Sequence, residues 1–496
     1  MTSLKKGLIG SVLLVSQSFI AKSVGLISTL VLARVLVPED FGLVAMATIF
    51  MGMVQIFGKT GGGEYIIRAR NVDDNMLDTN WTINLLLKCC IVTATLISAP
   101  FVADYFGDER VAHILYVSCL ITVITSLGNP GINLLRREQN YKPIIVMNLI
   151  GKCIAVIIAV TIALVYESFW ALVLGQAVAN VLKTAGSYFI SPYRPWFCLK
   201  NIKDQLSFSS WIMGQSLLGY ARTQMDSFLV ASNFSQSQLG QYNVMKYLAF
   251  LPNILVLSPA TGPLLRQLSA INDTGKYFNK RLNVATIIGL GLALYISAIL
   301  YMNSSLFVEL LLGKQWLEYS HLFSLFAYLI PAYLMFHMAN RIFVVFNNTK
   351  TIFFYELFSS SIILTVLISI GITSVDFFSL VRVSLENALS LIFLAFAYIK
   401  YTGIQNLVRL ITLLIPMILS VFFAYIAANY LTWQVGYILI DLAISSLLFT
   451  AFFILFNMLF LFFLKGRVDE YGILEQYKNQ AIQQFNKFIA NKKSKI

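Results

Sequence analysis

Charge is what this sequence has least of. Only 12% of its 496 residues are Asp, Glu, Lys or Arg, and it holds three histidines. A soluble domain carries roughly 25% charged residues, so an ordinary aqueous surface is excluded. Cysteine is scarce as well. There are five, an odd number, and Cys89, Cys90, Cys119 and Cys153 lie inside apolar runs where a thiol behaves as a small hydrophobe. A disulfide framework and a metal site are therefore not expected. No segment has the glycine-rich spacing of a nucleotide-binding P-loop, which excludes ATP as the direct energy source.

Hydrophobic residues, in contrast, make up 58% of the chain, and the mean hydropathy is +0.75. They come as successive runs, each near the ~20 residues that a helix needs to cross a bilayer. The fold class expected is an all-α polytopic membrane protein. Apolar windows between charged or Gly/Pro-rich breaks predict fourteen transmembrane helices, near 7–32, 41–58, 80–101, 111–133, 144–165, 168–190, 207–231, 238–262, 282–302, 319–345, 352–372, 376–399, 406–429 and 434–464. The first run follows Lys5 and Lys6, is too long for the core of a signal peptide, and is expected to be retained as the first span.

The net charge of +13 reports membrane orientation rather than nucleic-acid binding, because the basic residues are spread between spans. With an interior amino terminus, Lys and Arg crowd the interior loops, while the exterior loops keep Arg34, Arg110 and Lys314 among a larger number of acids. Short loops rich in Lys and Arg stay cytoplasmic, so both termini are expected in the cytoplasm. The tail from Lys465 to Ile496 is expected there too, either solvated or as a surface helix near 470–489. The longest exterior loop, about Met302 to Glu318, leaves no room for a catalytic domain, which speaks for a transporter rather than an enzyme such as a membrane glycosyltransferase.

Sliding the chain on itself by 198 residues superposes the first span on the seventh. Leu8, Ser11, Gln17, Ser18, Ala33 and Gly42 meet Leu206, Ser209, Gln215, Ser216, Ala231 and Gly240. Both spans leave the cytoplasm, so the repeat predicts two pseudo-symmetric six-helix lobes related by an axis along the membrane normal. The domains expected are residues 1–195 and 196–400 for the lobes, 401–464 for two additional helices, and 465–496 for the tail. Two such lobes can enclose a central cavity that opens to either side by rocking, the geometry of alternating access.

Ionisable residues inside spans each cost about 2.5 to 3.5 kcal/mol at a helix centre, so they face the bundle interior or water. Arg341 and Lys183 lie close enough to helix ends to reach the interface, and Lys88 and Lys152 are intermediate. Lys22, Arg222 and Lys246 sit deeper and are the candidate substrate-binding cations. Their helical neighbours are polar: Ser11, Ser18 and Lys22 share a face, as do Gln215, Gly219, Arg222 and Asp226, and Asn243, Lys246 and Asn253. Such stripes serve either a water-filled cavity or helix–helix hydrogen bonding. Arg222 with Asp226, and Arg382 with Glu386, are spaced to pair at i, i+4. Asp226, Arg382 and Glu386 are candidates for gating or coupling, with a purely structural pairing as the alternative. A cavity of net positive charge implies an anionic substrate with a large apolar part, such as a diphosphate-linked lipid carrying sugars.

The stretches LARVLVPEDFGLVAMATIF (Leu32 to Phe50), FGKTGGGEYIIR (Phe57 to Arg68), NLLRREQNYKPI (Asn133 to Ile144) and LLLGKQW (Leu310 to Trp316) carry a family likeness. With them the chain resembles the polysaccharide transporter family of the multidrug/oligosaccharidyl-lipid/polysaccharide exporter superfamily, and within it the Wzx-type flippases. The resemblance implies translocation of undecaprenyl-diphosphate-linked repeat units from the cytoplasmic to the periplasmic leaflet of the bacterial inner membrane, for surface polysaccharide biosynthesis. It implies no cofactor, coupling to an ion gradient, and lumenal cations that carry over to Lys22 and Arg222. The partners expected are the lipid-linked oligosaccharide, the membrane, a polysaccharide polymerase and a chain-length regulator, with no nucleic acid. The alternative within the superfamily is an ion-coupled multidrug antiporter, which would need unpaired acids in its cavity; Asp226 alone fits.

Overall fold

The computed structural model describes residues 3–58, 61–69, 71–200, 202–257, 276–370, 374–431 and 435–464. The helices in chain order are α1 (Ser3–Val35), α2 (Pro38–Ile56), α3 (Gly62–Arg68), α4 (Asp74–Phe106), α5 (Arg110–Ser126), α6 (Ile132–Arg137), α7 (Lys142–Tyr166), α8 (Trp170–Ile190), α9 (Ile202–Asn233), α10 (Gln236–Pro252), α11 (Lys276–Met302), α12 (Ser304–Leu312), α13 (Ser320–Ala327), α14 (Leu329–Val345), α15 (Thr349–Ser369), α16 (Val375–Thr402), α17 (Ile404–Leu431) and α18 (Ile438–Leu464). A π-turn, Asn253–Leu257, follows α10, and a 3-10 turn, Lys314–Tyr319, precedes α13. No strand occurs among the described residues. The tail 465–496, the end of the predicted span 238–262, and the side chains of Ser11 and Gln215 lie outside the described part.

Ten stretches among the described residues are long and apolar enough to cross a membrane, and they coincide with ten of the predicted spans. The chain is a multi-pass membrane protein. The other four predicted spans fall on α5, α8, α9 and α10. α5 has 17 residues, and the other three carry polar side chains inside them: Gln176, Asn180 and Lys183 in α8, Arg222 and Asp226 in α9, Asn243 and Lys246 in α10.

Local chemistry sets the helix ends. The Asp73 carboxylate accepts from the Met76 backbone N–H at 3.0 Å and opens α4, and Ser374 does the same for Phe377 at 3.1 Å before α16; each such cap contributes ~1 kcal/mol. Pro38 occupies the first turn of α2, where its missing N–H costs nothing, and Asp40 accepts from the Val37 N–H at 3.3 Å. Asp441 is buried, but its carboxylate accepts from the backbone N–H groups of Val435 at 2.7 Å and Gly436 at 3.2 Å. That intramembrane acid is a turn-forming residue at the start of α18.

Large apolar side chains point outward, Phe101, Phe189 and Leu447 among them, while small residues mediate helix–helix contact. A Cβ on Gly175 of α8 would lie 2.6 Å from the Cβ of Ala159 in α7. Lipid is as apolar as leucine, so close backbone approach rather than hydrophobic burial drives association of spans.

The chain divides into two compact units. The first comprises Met1–Val244 with Leu311–Trp316; the second comprises Met245–Leu310 with Leu317–Ile496. Within the first, the extended segment after α8 is strapped to the start of α4. Asp78 accepts from the Tyr193 hydroxyl at 2.6 Å and the Trp196 N–H at 2.8 Å, and Thr79 donates to the Lys200 carbonyl at 2.6 Å. Burial and this bond to the Asp78 carboxylate push the Tyr193 hydroxyl well above its ordinary pKa. Within the second, an aromatic cluster joins α14, α15 and α16, with Tyr355 stacked on Phe393 at 3.7 Å. The last two spans dock there on α11: Tyr295 and Thr450 hydroxyls lie 2.6 Å apart, and Tyr295 packs on Phe449 and Phe453.

Candidate functional site

Lys22 is exposed on α1, as is Ser18 one turn before it, so the described part of that predicted stripe does share an open face. Gly25 follows Lys22 by one turn. A Cβ there would lie 3.8 Å from the Lys152 ammonium, which reaches across from α7 into the room that glycine leaves. Among the described residues no hydrogen bond or ion pair engages the side chain of Lys22 or Lys152. Lys152 therefore meets α1 three residues beyond Lys22. Lys152 had ranked only as intermediate by depth; its nearness to α1 is a tertiary fact, and the one sequence signal that could have found it is a glycine at i+3 from Lys22.

On α9, Arg222 is half-buried and Asp226 is buried. The Asp226 carboxylate accepts from the Tyr242 hydroxyl of α10 at 2.9 Å and from the Ser227 N–H at 2.8 Å. Ser227 donates to the Asn243 side-chain carbonyl at 2.9 Å. Asp226 and Asn243 thus join α9 to α10, so for these members of the polar stripes helix–helix hydrogen bonding is the role seen. Lys246 is half-buried and falls in the second unit.

Arg382 and Glu386 form the ion pair that their spacing predicts, Nη1 to Oε2 at 2.6 Å, with side-chain exposures of 4% and 2%. They continue a buried stripe on α16 that includes Ser379 and Ser390, whose hydroxyls are buried without a partner among the described residues. This seam faces protein rather than lipid. Of the other intramembrane cations, Arg341 and Lys183 are exposed, and Lys88 donates to the Thr125 hydroxyl at 3.3 Å.

The four family-like motifs meet in pairs. Trp316 and Gln315 of the last motif donate to the Ala33 carbonyl at 2.7 and 2.6 Å, and Trp316 meets Phe41 edge to face, so LLLGKQW closes over the end of α1 and the start of α2. Gly313 makes the turn possible with φ of 98°, a conformation that other residues rarely adopt. The middle two motifs pack together through α3 and α6: Arg137 donates to the Ile66 carbonyl at 3.3 Å, and a Cβ on Gly63 would lie 3.1 Å from the Asn133 side-chain oxygen.

Two polar cavities lie inside the first unit. One, of about 440 Å³, is lined from α2, α4, α5 and α8 by residues including Gln55, Lys88, Thr122, Gln176 and Asn180. The other, of about 390 Å³, lies against the Gly61–Gly63 run and is lined by Trp81, Asn133, Arg136 and Lys183. Asn84 lines both. Among the described residues no group of three His, Cys, Asp or Glu side chains is placed to hold a metal.

The model of a family described as polysaccharide biosynthesis protein matches residues 31–321. The succinoglycan biosynthesis transport protein ExoT of Rhizobium meliloti (strain 1021) is 25% identical over 236 residues, 47% of this chain and 48% of that one. The lipopolysaccharide biosynthesis protein WzxC of Escherichia coli (strain K12) is 24% identical over 304 residues, 59% of this chain and 60% of that one. The matched region thus spans about half to three fifths of these relatives. Among solved structures, the lipid II flippase MurJ in its inward closed conformation superposes with a TM-score of 0.71 at 15% identity, covering 90% of this chain and 98% of that one. An inward-facing multidrug resistance transporter of the MATE family gives 0.56 at 13% identity, covering 81% and 98%. Both show the fold alone.

Proposed function

Since the chain belongs to the polysaccharide biosynthesis protein family, we propose that it flips undecaprenyl-diphosphate-linked oligosaccharide repeat units from the cytoplasmic to the periplasmic leaflet of the bacterial inner membrane. The observation that carries this reading is the pair Lys22 and Lys152: two cations inside neighbouring spans, Lys152 reaching α1 at Gly25, three residues from Lys22, and neither engaged by a protein partner among the described residues. A cation in a span needs water or a counter-charge, and a diphosphate supplies the counter-charge while its isoprenoid stays in lipid. Arg222, in the same unit, joins the proposed cationic set, and Lys246 is proposed as a substrate-binding cation of the second unit. The transport cycle is alternating access, driven by an ion gradient, with both termini in the cytoplasm, a polymerase and a chain-length regulator as partners downstream, and no catalytic step.

The multidrug-antiporter alternative loses ground because its one candidate acid, Asp226, is taken up by Tyr242 and the Ser227 N–H. The test is complementation of a bacterial strain that lacks its own repeat-unit flippase. Wild type should restore surface polysaccharide, and Lys22→Gln and Arg222→Gln should reduce it at normal protein levels. Failure of the wild type together with export of cationic dyes would sink the flippase reading.

A further inference from the structure

The cavity beside α3 and α6 is built from two motifs that the transport reading leaves without a task. Arg137 is spent on holding the two short helices together through the Ile66 carbonyl. Its neighbour Arg136 lines the cavity instead, with Lys183 of α8 on the same lining. Among the described residues no hydrogen bond or ion pair engages either side chain. Nor does any acceptor meet the indole N–H of Trp81, which is buried in the same wall. Glycine is required here for space: a Cβ on Gly62 would fall 1.6 Å from the Asn80 side-chain oxygen.

Asn84 is shared with the lining of the second cavity, where Lys88 is the one ionisable residue on the wall and has a single neutral partner, Thr125. Along the joined cavities Arg136, Lys183 and Lys88 stand against one acid, Glu64, a net charge of 3 − 1 = +2. A cluster of like charges in a membrane protein is expensive unless something balances it, and Glu64 offsets only one of the three.

We propose that the joined cavities form a binding site for a phosphate-bearing anion, held by Arg136, Lys183, Lys88 and the Trp81 N–H, and separate from the Lys22, Arg222 and Lys246 set. A guanidinium fork and ammonium groups match tetrahedral phosphate oxygens, and an indole N–H has no acceptor role to confuse the polarity. The net +2 equals the two negative charges of a diphosphate diester. Amides and hydroxyls of Asn84, Thr122, Gln176 and Asn180 suit sugar hydroxyls. Each cavity falls within the ~300 to 1,000 Å³ typical of small-molecule sites. Resting on the flippase reading, the ligand is the diphosphate and first sugar of the lipid-linked substrate, received where the loops rich in Arg and Lys lie.

The test titrates inorganic pyrophosphate into the full-length protein in detergent at constant ionic strength, by calorimetry. Trp81→Phe, which keeps a ring and removes only the N–H, Lys183→Gln and Lys88→Gln should each weaken binding by about tenfold, the loss expected for one hydrogen bond to a charged group. Lys314→Gln, exposed in the turn before α13, should bind as the wild type does. Should Lys88→Gln fail to fold, the exposed Lys183 and the Trp81→Phe variant keep the question open to measurement. Absence of pyrophosphate binding to the wild type, or unchanged binding in the Trp81 and Lys183 variants, overturns the site. In a second arm, vesicles containing undecaprenyl diphosphate compete with pyrophosphate. Displacement supports the lipid-linked ligand; binding that the lipid leaves intact supports the same site with a soluble phosphate. Loss of export complementation by a wild type that still binds pyrophosphate would overturn the flippase reading and leave this site standing.

Discussion

Gly42 and Gly240 meet reciprocally in the first unit. A Cβ on Gly42 would lie 1.8 Å from the Gln236 carbonyl oxygen, and one on Gly240 would lie 1.9 Å from the Pro38 carbonyl oxygen. The two glycines are 240 − 42 = 198 residues apart, and so are the two carbonyls, 236 − 38 = 198. The offset found by sliding the sequence is thus a local two-fold contact between the first turns of α2 and α10. It explains why glycine stands at both positions: the backbones touch.

Gly42→Ala and Gly240→Ala should each destabilise the protein by at least about 1 to 3 kcal/mol, the usual cost of forcing atoms into a packed contact. Gly219→Ala makes the internal control. Nothing lies within 4 Å of its added Cβ, so alanine should leave stability unchanged or raise it by about 0.5 to 1 kcal/mol through helix propensity. Thermal unfolding in detergent separates the two outcomes.

Trp316 is fully buried and donates to the end of α1. Trp316→Phe keeps an aromatic partner for Phe41 but loses the N–H bond, which should cost about 1 to 3 kcal/mol because a buried carbonyl loses a donor. Gln315→Ala in the Trp316→Phe background should cost more than it does alone, since the two donors share one acceptor and only the loss of both leaves the Ala33 carbonyl unpaired. A double-mutant cycle on melting temperature checks it.

The Arg382 and Glu386 pair gives a sharper contrast. Removing one partner, as in Arg382→Met or Glu386→Gln, leaves the other in a buried seam and should cost about 3 to 5 kcal/mol, whereas the double replacement by apolar residues should recover most of it. Expression level and melting temperature report stability. Export then separates the two roles left open by spacing alone: a folded double variant that still exports makes the pair structural, and one that folds without exporting makes it part of the cycle.

Lys22 and Lys152 should act together. If both hold one anion, Lys22→Gln and Lys152→Gln should each lower export several-fold, and the double variant should lose less than the product of the two. Strict multiplicativity in a complementation assay would separate their roles.

A small acid dependence should arise at the loop between α4 and α5. The Arg110 guanidinium, bonded to Asp108 at 2.6 Å, holds that carboxyl below the usual carboxylate range, and the same guanidinium reaches the Gln236 carbonyl side chain at 3.5 Å. A depressed acid stabilises the fold above its unfolded pKa, and the stabilisation disappears as pH falls through the folded value. Half of Arg110 is exposed, so the effect should stay below about 1 kcal/mol. Asp108→Asn should flatten the acid limb of melting temperature against pH by that amount.

How far the chain could be read varies by residue. Periodic apolar runs need nothing but composition, and ten of the predicted spans fall on helices long and apolar enough to cross a membrane; of the other four, α5 is shorter, and α8, α9 and α10 carry polar side chains. The i, i+4 pairing of Arg382 and Glu386 is a property of one helix and was visible for that reason. The hydrogen bond of Asp226 to Tyr242 was not, because Tyr242 lies on the next helix, and neither was the reach of Lys152 to Gly25 of α1. Asp441, inside the predicted span 434–464, is a turn residue, a distinction made by two backbone N–H groups.

The sequence by itself determined the solvent and the helices, since hydropathy and helix length are one-dimensional quantities. Only the tertiary structure decided which motifs touch. LLLGKQW closes on the end of α1, and the two central motifs flank a cavity with Trp81, because close approach of backbones at glycines and donors finding acceptors on distant helices are set by packing in three dimensions.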